Sequence, residues 1–228
     1  MKRHLKRLAA PASWNVKRKS TTFIVRPHPS GHSQHLSVSL NMFLREMAGY
    51  AKSTKEIKAI LQQDVLVNGR KQTDHRNTAG FFDVVEMAKT KEANRIIMDT
   101  NGRITHVKIP EKEAHLKICK IIGKTILPKG KVQLNLNDGQ NFIVTTPYTV
   151  GDSVVVDFKK NTLVDTLKFE KNMTVFLTEG KQKCSLGKIV YIQGDTATFA
   201  LQSGAQYKTR KSCAFAVGKD HPIITVHA

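Results

Sequence analysis

The clearest indication of the fold of this chain is the stretch Val65-Leu66-Val67-Asn68-Gly69-Arg70-Lys71. Three β-forming residues precede an Asn-Gly pair, and both Asn and Gly tolerate the positive φ angles that a two-residue hairpin turn requires. Two cations follow the turn at once, beside exposed backbone. The stretch therefore predicts a tight hairpin that presents positive charge, and a further strand over Phe82–Val85 is expected to close the unit.

Two short helices are predicted before this hairpin. In the first, the apolar side chains recur at helical intervals of three, four and seven, at Leu40, Phe43, Leu44, Met47 and Ala51. The second begins at Ser53, which has the capping-box spacing to Glu56. Its apolar stripe consists of Ile57, Ile60 and Leu61, whereas Lys52, Lys55 and Lys58 lie off that stripe. These lysines face either water or a polyanion.

The composition indicates an anionic partner. The chain has 228 residues, 37 Lys and Arg against 18 Asp and Glu, and a formal net charge of +19. Such an imbalance is typical of proteins that bind nucleic acid. No apolar run approaches the length of a membrane span, and the basic N-terminus lacks the apolar core of a signal peptide. The three cysteines are far apart, which indicates a reducing, cytoplasmic setting and inert thiols.

Residues 1–37 are expected to form a basic arm rather than a domain. The first acidic residue of the chain is Glu46, and the apolar residues of the arm show no sustained period. Alone, such a segment buries too little to offset its ordering entropy. Trp14 either stacks on a base or contacts the neighbouring domain. We expect deletion of residues 1–26 to weaken binding and to leave the melting of the core almost unchanged.

The remainder of the chain predicts short strands. Asn101-Gly102 separates strands at Arg95–Met98 and Ile104–Ile109, and a short helix is expected around Glu111–Leu116. Strict alternation at Val132, Leu134 and Leu136, followed by short strands over 141–144, 154–156 and 163–167, favours a small barrel or sandwich. A basic run of unspecified role contains Lys117, Lys120, Lys124, Lys129 and Lys131. Four more strands are predicted over 174–177, 188–192, 196–201 and 213–217.

Catalytic and metal-binding motifs are not evident in the sequence. No phosphate-binding loop of the Gly-x-x-x-x-Gly-Lys-Ser/Thr type exists. The helix-like spacing of His28, His32 and His35 lacks cysteine or acidic partners for zinc within the arm. Asp74-His75 has no nucleophile placed to support a triad. We therefore expect no enzymatic activity, no metal, no cofactor and no small-molecule substrate.

The hairpin and its two helices resemble the S4-type RNA-binding domain. The resemblance depends on Phe43-Leu44-Arg45, the helix after Ser53, the stretch from Val65 to Arg70, and Ala79–Val84. In that family the helix pair and the Asn-Gly-Arg turn form one RNA-facing surface. The resemblance implies that this surface contains Arg45, Lys52, Lys55, Lys58, Asn68, Gly69, Arg70 and Lys71.

The whole chain resembles the S4e family of archaeal and eukaryotic small-subunit ribosomal proteins. The stretch from Arg3 to Pro11 resembles the N-terminal signature of that family, and Gly187-Lys188-Ile189-Val190 resembles a KOW motif, although the usual glycine-rich lead-in is replaced. The implied fold class is α+β and multidomain. It comprises a basic arm (1–37), an S4-type domain (38–92), a central β-barrel-like domain (93–170) and a KOW/SH3-like barrel (171–228).

The resemblance implies a structural, rRNA-binding role in the cytoplasmic ribosome, with small-subunit rRNA and neighbouring ribosomal proteins as partners and no membrane. In the arm, the expected RNA-binding residues are Lys2, Arg3, His4, Lys6, Arg7, Trp14, Lys17, Arg18, Lys19 and Arg26. The main alternative is an RNA-modifying enzyme of the pseudouridine-synthase type. The nearest match to its Gly-Arg-Leu-Asp segment is Gly102-Arg103-Ile104-Thr105, which lacks the carboxylate. A free RNA-binding regulator is a further alternative.

Overall fold

The computed structural model describes residues 4–201 and 204–226. The described chain forms two compact units, one of residues 4–99 and 103–115 and one of residues 100–102, 116–201 and 204–226. Both consist mainly of antiparallel strands, with few helical turns. The predicted combination of strands with a few helices is therefore confirmed, but strands form a larger share of the fold than the term α+β suggests.

The first unit contains nine strands and two short helical regions. In chain order these are β1 (Leu5–Lys6), β2 (Phe23–Ile24), β3 (Ser37–Ser39), α1 (Leu40–Met42), a π-helix (Phe43–Met47), α2 (Thr54–Leu61), β4 (Val65–Val67), β5 (Arg70–Lys71), β6 (Thr78–Gly80), β7 (Val84–Met87), β8 (Glu92–Met98) and β9 (Ile104–Ile109). The main sheet has the order β5-β4-β7-β8-β9, and β1-β2 and β3-β6 form two-stranded ribbons. Short 3-10 turns occur at Arg7–Ala9 and Gln34–Leu36.

One hydrophobic core joins the helices to the sheet in this unit. The first predicted helix forms as α1 and the π-helix, and it buries Phe43 and Leu44. α2 buries Ile57 and Leu61 against the same core, which also contains Val85 of β7. The predicted amphipathic patterns of both helices are thus confirmed, because the spaced apolar side chains face the sheet.

The basic arm belongs to this core, which contradicts the prediction of a tail. Trp14 is 2% exposed, and its Nε1 donates to the carbonyl oxygen of Ser37 at 2.9 Å. The backbone around it is fixed as well, since Ile104 N donates to the Ser13 carbonyl at 2.7 Å. Ile24 of β2 is buried in the same cluster. The buried apolar residues of the arm show no period because Ala10, Trp14 and Ile24 enter the core at separate places.

The hairpin β8–β9 forms as predicted, but it lies in the sheet of the first unit. β8 pairs with β7 through Val84↔Arg95 and the following residues. The expected domain boundary between residues 92 and 93 therefore falls inside β8. The helix expected around Glu111–Leu116 is wrong: this segment forms hydrogen-bonded turns, in which Glu113 N donates to the Pro110 carbonyl at 3.0 Å.

The second unit contains two five-stranded antiparallel sheets. The strands of the first are β10 (Leu116–Ile126), β11 (Val132–Leu136), β12 (Asn141–Val144), β13 (Ser153–Asp157) and β14 (Thr162–Leu167), in the order β12-β11-β10-β13-β14. The second contains β15 (Thr174–Leu177), β16 (Leu186–Gln193), β17 (Thr196–Leu201), β18 (Gln206–Arg210) and β19 (Ala214–Gly218), in the order β18-β17-β16-β15-β19. The strands predicted from alternation and turns are confirmed, whereas β10 and β18 are additional.

Two lysines of the predicted basic run are buried in β10. The Lys117 ammonium lies 2.7 Å from Asp138 Oδ2, and both side chains are nearly inaccessible to solvent. Lys120 donates to the carbonyl oxygens of Lys211, Ser212 and Ala214 at 2.5, 3.0 and 2.7 Å. A buried ammonium needs partners for its charge and its donors, and both lysines find them inside the unit. They therefore do not form part of an exposed basic run.

Candidate nucleic-acid interface

The Asn68-Gly69 turn has the predicted tight geometry. Asn68 and Gly69 have φ angles of 49° and 72°, and Val67 pairs directly with Arg70 across the two-residue loop. Positive φ at both central positions is the conformation that favours Asn-Gly in hairpins, because it matches the twist of the flanking strands. The turn therefore places Arg70 and Lys71 on a short, exposed edge strand.

The Asn68 side chain is used inside the fold. Its amide donates to Asp83 Oδ1 at 2.9 Å, and its Oδ1 accepts from Val84 N at 3.0 Å. Asp83 is buried, and its other oxygen accepts from Gly80 N at 2.6 Å and lies 3.4 Å from His32 Nε2. The structure thus gives Asn68 a positioning role: it fixes the turn on which Arg70 stands. Asp83 is a positioning residue that the sequence reasoning missed.

The α2 helix carries its cations on the face opposite the core. Its N-terminus is fixed by the predicted capping box, in which Ser53 Oγ accepts from Glu56 N at 3.3 Å and Glu56 Oε2 accepts from Lys52 N at 2.9 Å. The backbone hydrogen bond from Lys52 and the hydroxyl of Ser53 lower the pKa of Glu56. Lys55 and Lys58 are exposed. The helix therefore begins at a defined residue and presents its lysines to solvent.

We call the exposed cations just before α2, within it and at the turn the cationic surface: Lys52, Lys55, Lys58, Arg70 and Lys71. Among them, Lys71 forms an ion pair with Asp64 in which both side chains are about half exposed. Such exposed pairs contribute only about 0–1 kcal/mol. A phosphate could therefore replace Asp64 as the partner of Lys71 at little cost. The arrangement suits contacts to a phosphate backbone, which need cations but no fixed base geometry.

Arg45 is less available than the sequence suggests. It is half-buried, and its Nη2 lies 2.8 Å from Glu46 Oε1. The same oxygen accepts from Arg7 Nη2, also at 2.8 Å. Partial burial raises the pKa of Glu46, but the hydrogen bonds from both guanidinium groups outweigh it and hold the pKa below its ordinary value. Two arginines share one carboxylate, so this cluster keeps a net positive charge.

The loop that contains Asp74 and His75 also lies near the cationic surface. Asp74 accepts from Arg76 N at 2.8 Å and lies 3.0 Å from His28 Nε2 and 3.2 Å from His75 Nδ1. The hydrogen bond from Arg76 N is the main cause that lowers the pKa of Asp74, with the His28 contact adding to it. Burial lowers the pKa of His75, and the nearby charge of Lys58 lowers it further. The segment around His28 therefore reaches the vicinity of α2.

The structure separates the arm residues that were expected to bind RNA. His4, Lys6, Lys17, Arg18 and Lys19 are exposed, and Arg26 is half-buried. Lys2 and Arg3 lie outside the described residues. Arg7 is 1% exposed and donates to Thr21, Lys17 and Glu46, and Trp14 is buried. Arg7 and Trp14 are therefore corrected from RNA contacts to core residues, since neither side chain reaches the surface.

Neither a metal cluster nor a membrane-spanning helix is found in the described part of the chain. Within residues 4–201 and 204–226, no group of three or more His, Cys, Asp or Glu side chains is placed to hold a metal ion. Over the same residues, every helix is too short or too polar to cross a membrane. Cys119 and Cys184 are buried and Cys213 is half-buried, all as free thiols.

Known proteins resemble the chain over almost its whole length. The model of Ribosomal family S4e matches residues 90–163, and that of the RS4NT (NUC023) domain matches residues 1–35. The small ribosomal subunit protein eS4 of Methanococcus maripaludis strain C6 is 35% identical over 240 residues, covering 99% of this chain and 98% of that protein. This chain belongs to the S4e family. The resemblance of the whole chain to the S4e family is thereby confirmed.

Other S4e proteins support the same assignment. The small ribosomal subunit protein eS4 of Methanopyrus kandleri is 34% identical over 248 residues, covering 99% of this chain and 95% of that protein. The crystal structure of the 30S ribosomal protein S4e from Thermoplasma acidophilum matches with a TM-score of 0.70 and 25% identity, covering 81% of this chain and 96% of that one. S4e proteins are structural ribosomal proteins rather than enzymes, so the expectation of a non-enzyme is confirmed.

Proposed function

We propose that this S4e-family chain is a structural constituent of the small ribosomal subunit that binds and stabilises folded rRNA through its basic surfaces. The observation that carries the proposal is the match, over 99% of the chain, to proteins named small ribosomal subunit protein eS4. The net charge of +19 supports it. A surplus of this size produces a positive potential that attracts a phosphate backbone over long range.

The cationic surface is the part of the proposal with the clearest geometry. Lys55 and Lys58 project from α2, and Arg70 stands beside a turn that Asn68 and Asp83 hold rigid. We propose that these cations contact phosphates of a folded RNA junction, as the S4-type resemblance implies. Each phosphate contact releases counterions, so the affinity should fall steeply as salt is raised.

The arm has a different role from the one expected of a tail. Its exposed cations, such as Lys6 and Lys17, are mounted on a segment that Arg7, Trp14 and Ile24 anchor in the core. We propose that the arm binds RNA as a preformed surface, which lowers the ordering cost of binding. The β sheets of the second unit, including the KOW-like one, would add contacts to rRNA or to neighbouring proteins in the cytoplasmic small subunit.

The RNA-modifying alternative is not favoured. The family consists of structural ribosomal proteins, and the only stretch similar to a pseudouridine-synthase motif has Thr105 at the position of the aspartate. Ile104 within that stretch is buried, and Thr105 lies within strand β9. A hydroxyl in a regular strand does not supply the carboxylate that this chemistry requires.

Sedimentation of a cell lysate tests the proposal. We expect the native protein to migrate with small subunits and to remain there at moderate salt. A protein found only at the top of the gradient would exclude the structural role, and RNA-modifying activity would then be the next assay.

Charge reversal tests the cationic surface. Arg70→Glu should weaken binding to small-subunit rRNA more than Arg70→Ala, because it adds repulsion to a lost contact. Arg70→Ala should also reduce the salt slope by about one unit. The matched control is Lys89→Glu, which makes the same charge change at an exposed lysine in the turn between β7 and β8. Equal loss in Arg70→Glu and Lys89→Glu would show that only net charge matters.

A further inference from the structure

An aromatic side chain of the arm is left exposed among cations. Phe23 in β2 is 56% exposed, although the neighbouring Ile24 is buried in the core. Large apolar side chains are occasionally exposed in any protein. Phe23 differs from such cases because its ring lies in a segment that has no acidic residue before Glu46. An exposed ring with this charge around it is typical of surfaces that bind single-stranded nucleic acid.

The β1–β2 ribbon determines which groups surround the ring. Lys6 pairs directly with Phe23, so their side chains lie next to each other on the same face of the ribbon. Both are exposed, whereas Leu5 and Ile24 on the opposite face pack against the core. The His4 ring lies 5.8 Å from the Phe23 ring, at an interplanar angle of 50°. The outward face of the ribbon therefore carries two rings and an ammonium group.

The backbone that carries the ring is held in place before any ligand arrives. Thr21 Oγ1 donates to the Phe23 carbonyl at 3.1 Å and accepts from Arg7 Nε at 3.0 Å. Arg7 is buried and also donates to the Lys17 carbonyl at 3.1 Å. One buried guanidinium thus fixes both ends of the loop that leads to Phe23. A preformed ring loses little conformational freedom when a flat ligand stacks on it.

The electrostatics favour RNA over a protein partner for this surface. Lys6, Lys17 and Lys19 are exposed, and Glu46 is already bound by Arg7 and Arg45. An apolar docking site for a protein usually has few charges at its centre. A ring with Lys6 beside it, in an arm without acidic residues, instead suits a nucleotide, whose base can stack while its phosphates meet ammonium groups.

Resting on the proposed function, we infer that Phe23, with His4 beside it, is a stacking platform for one unpaired RNA base, and that Lys6 and Lys17 bind the flanking phosphates. This assigns to Phe23 the role that the sequence suggested for Trp14. The ligand class is a single-stranded nucleotide at a bulge, loop or end, because bases within a duplex are not available for stacking on a side chain. The platform discriminates unpaired from paired RNA, but it does not read base identity.

An RNA-binding assay with full-length variants tests the inference. The ligand is a labelled single-stranded oligoadenylate of ten nucleotides, and fluorescence anisotropy measures its binding. Phe23→Ala should weaken binding by about 5- to 150-fold, the range found for single base–aromatic stacks. It should change binding to a fully paired RNA of the same length by less than about twofold. Phe23→Trp should restore affinity, because the larger ring also stacks, whereas Phe23→Leu should not. Leu8→Ala is the matched control, since Leu8 is an exposed apolar side chain of the same arm without a ring.

A spectroscopic test reports on stacking at the ring itself. The chain has a single tryptophan, Trp14, which is buried, so Phe23→Trp adds one exposed fluorophore. We expect oligoadenylate to quench that emission, and inorganic polyphosphate, which supplies charge without bases, to leave it unchanged. Far-UV circular dichroism of each variant checks that the arm remains folded.

The outcomes separate the inference from the function on which it rests. If wild type binds RNA and Phe23→Ala or Phe23→Leu binds equally well, the platform is excluded and the ring is an apolar contact, as for a neighbouring protein. Quenching by polyphosphate alone would exclude it as well. If wild type binds neither oligoadenylate nor small-subunit rRNA, the proposed function itself fails. If Arg70→Glu loses rRNA binding while Phe23→Ala does not, only the platform is overturned.

Discussion

Trp14→Ala should strongly destabilise the first unit. Truncation of a buried aromatic side chain costs about 3–5 kcal/mol, and Trp14 is 2% exposed. The Ser37 carbonyl, which accepts from Trp14 Nε1 at 2.9 Å, would lose this partner at a further cost of about 1 kcal/mol. Since domains are stable by only about 5–15 kcal/mol, the variant should retain little of the stability of this unit.

Urea and thermal unfolding followed by far-UV circular dichroism provide the measurement. Fluorescence is unsuitable because the substitution removes the only tryptophan. A loss of about 4 kcal/mol should lower the melting temperature by at least ~10 °C in a unit of this size. Trp14→Phe should cost less, about 1–2 kcal/mol, because it keeps most of the apolar ring and loses the Nε1 donor.

Asn15→Ala is the control, since Asn15 is exposed next to the tryptophan. It should leave the unfolding midpoint unchanged. If Trp14→Ala unfolds at the same urea concentration as Asn15→Ala, the arm does not belong to the core and the reasoning is refuted. Deletion of residues 1–26 supplies a second test, because it removes Trp14 and Ile24 together. It should destabilise the core, contrary to the expectation drawn from the sequence.

Three further perturbations test other parts of the structure. Gly80→Ala should destabilise the first unit by displacing His32, because the added Cβ would lie 2.2 Å from the His32 ring. The urea midpoint of the variant should therefore be lower than that of wild type, and an equal midpoint would show that the ring moves freely. The pKa of Glu46 is lowered in the folded state, so its ionised form stabilises the fold above pH 4.5, the ordinary value, and this stability is lost as the pH falls through the folded-state pKa. Glu46→Gln should therefore make the unfolding midpoint depend less on pH in acid. An unchanged dependence on acid pH would contradict this. Burial lowers the pKa of Lys120 from 10.5 to about 8. Between these pH values the unfolded state binds more protons than the folded state, so the free energy of unfolding should rise with pH. Lys120→Met should abolish that rise in urea midpoints, and a rise of equal size in the variant would exclude Lys120 as its source.

Local chemistry made the turn and the helices predictable from the sequence. The Asn68-Gly69 turn depends on the φ preferences of two adjacent residues, and the capping box of Ser53 and Glu56 spans one helical turn. Both formed as expected. The exposure of Lys55 and Lys58 also followed from the 3.6-residue period, since their apolar neighbours had to face the core.

The roles of the arm residues could not be predicted in the same way. Trp14 meets Ser37, 23 residues later along the chain, and no period or local motif records such a contact. The sequence did not indicate that Phe23 is exposed, because a single phenylalanine in a polar segment can occupy a core position as readily as a surface position. Lys120 was misjudged for the same reason: its carbonyl partners come from residues 91–94 positions later. Burial that depends on distant segments requires the fold to be known.

The contact between the arm and β9 has a consequence for synthesis of the chain. Trp14 is made early, but the bridge partner that completes its surroundings is Ile104. At about 5–20 residues per second, the intervening ~90 residues take roughly 5–18 s to emerge. During this interval the nascent N-terminus exposes a tryptophan and a dense set of cations without their native partners. The nascent chain is therefore most prone to premature binding by RNA or by chaperones until about residue 104 has been added.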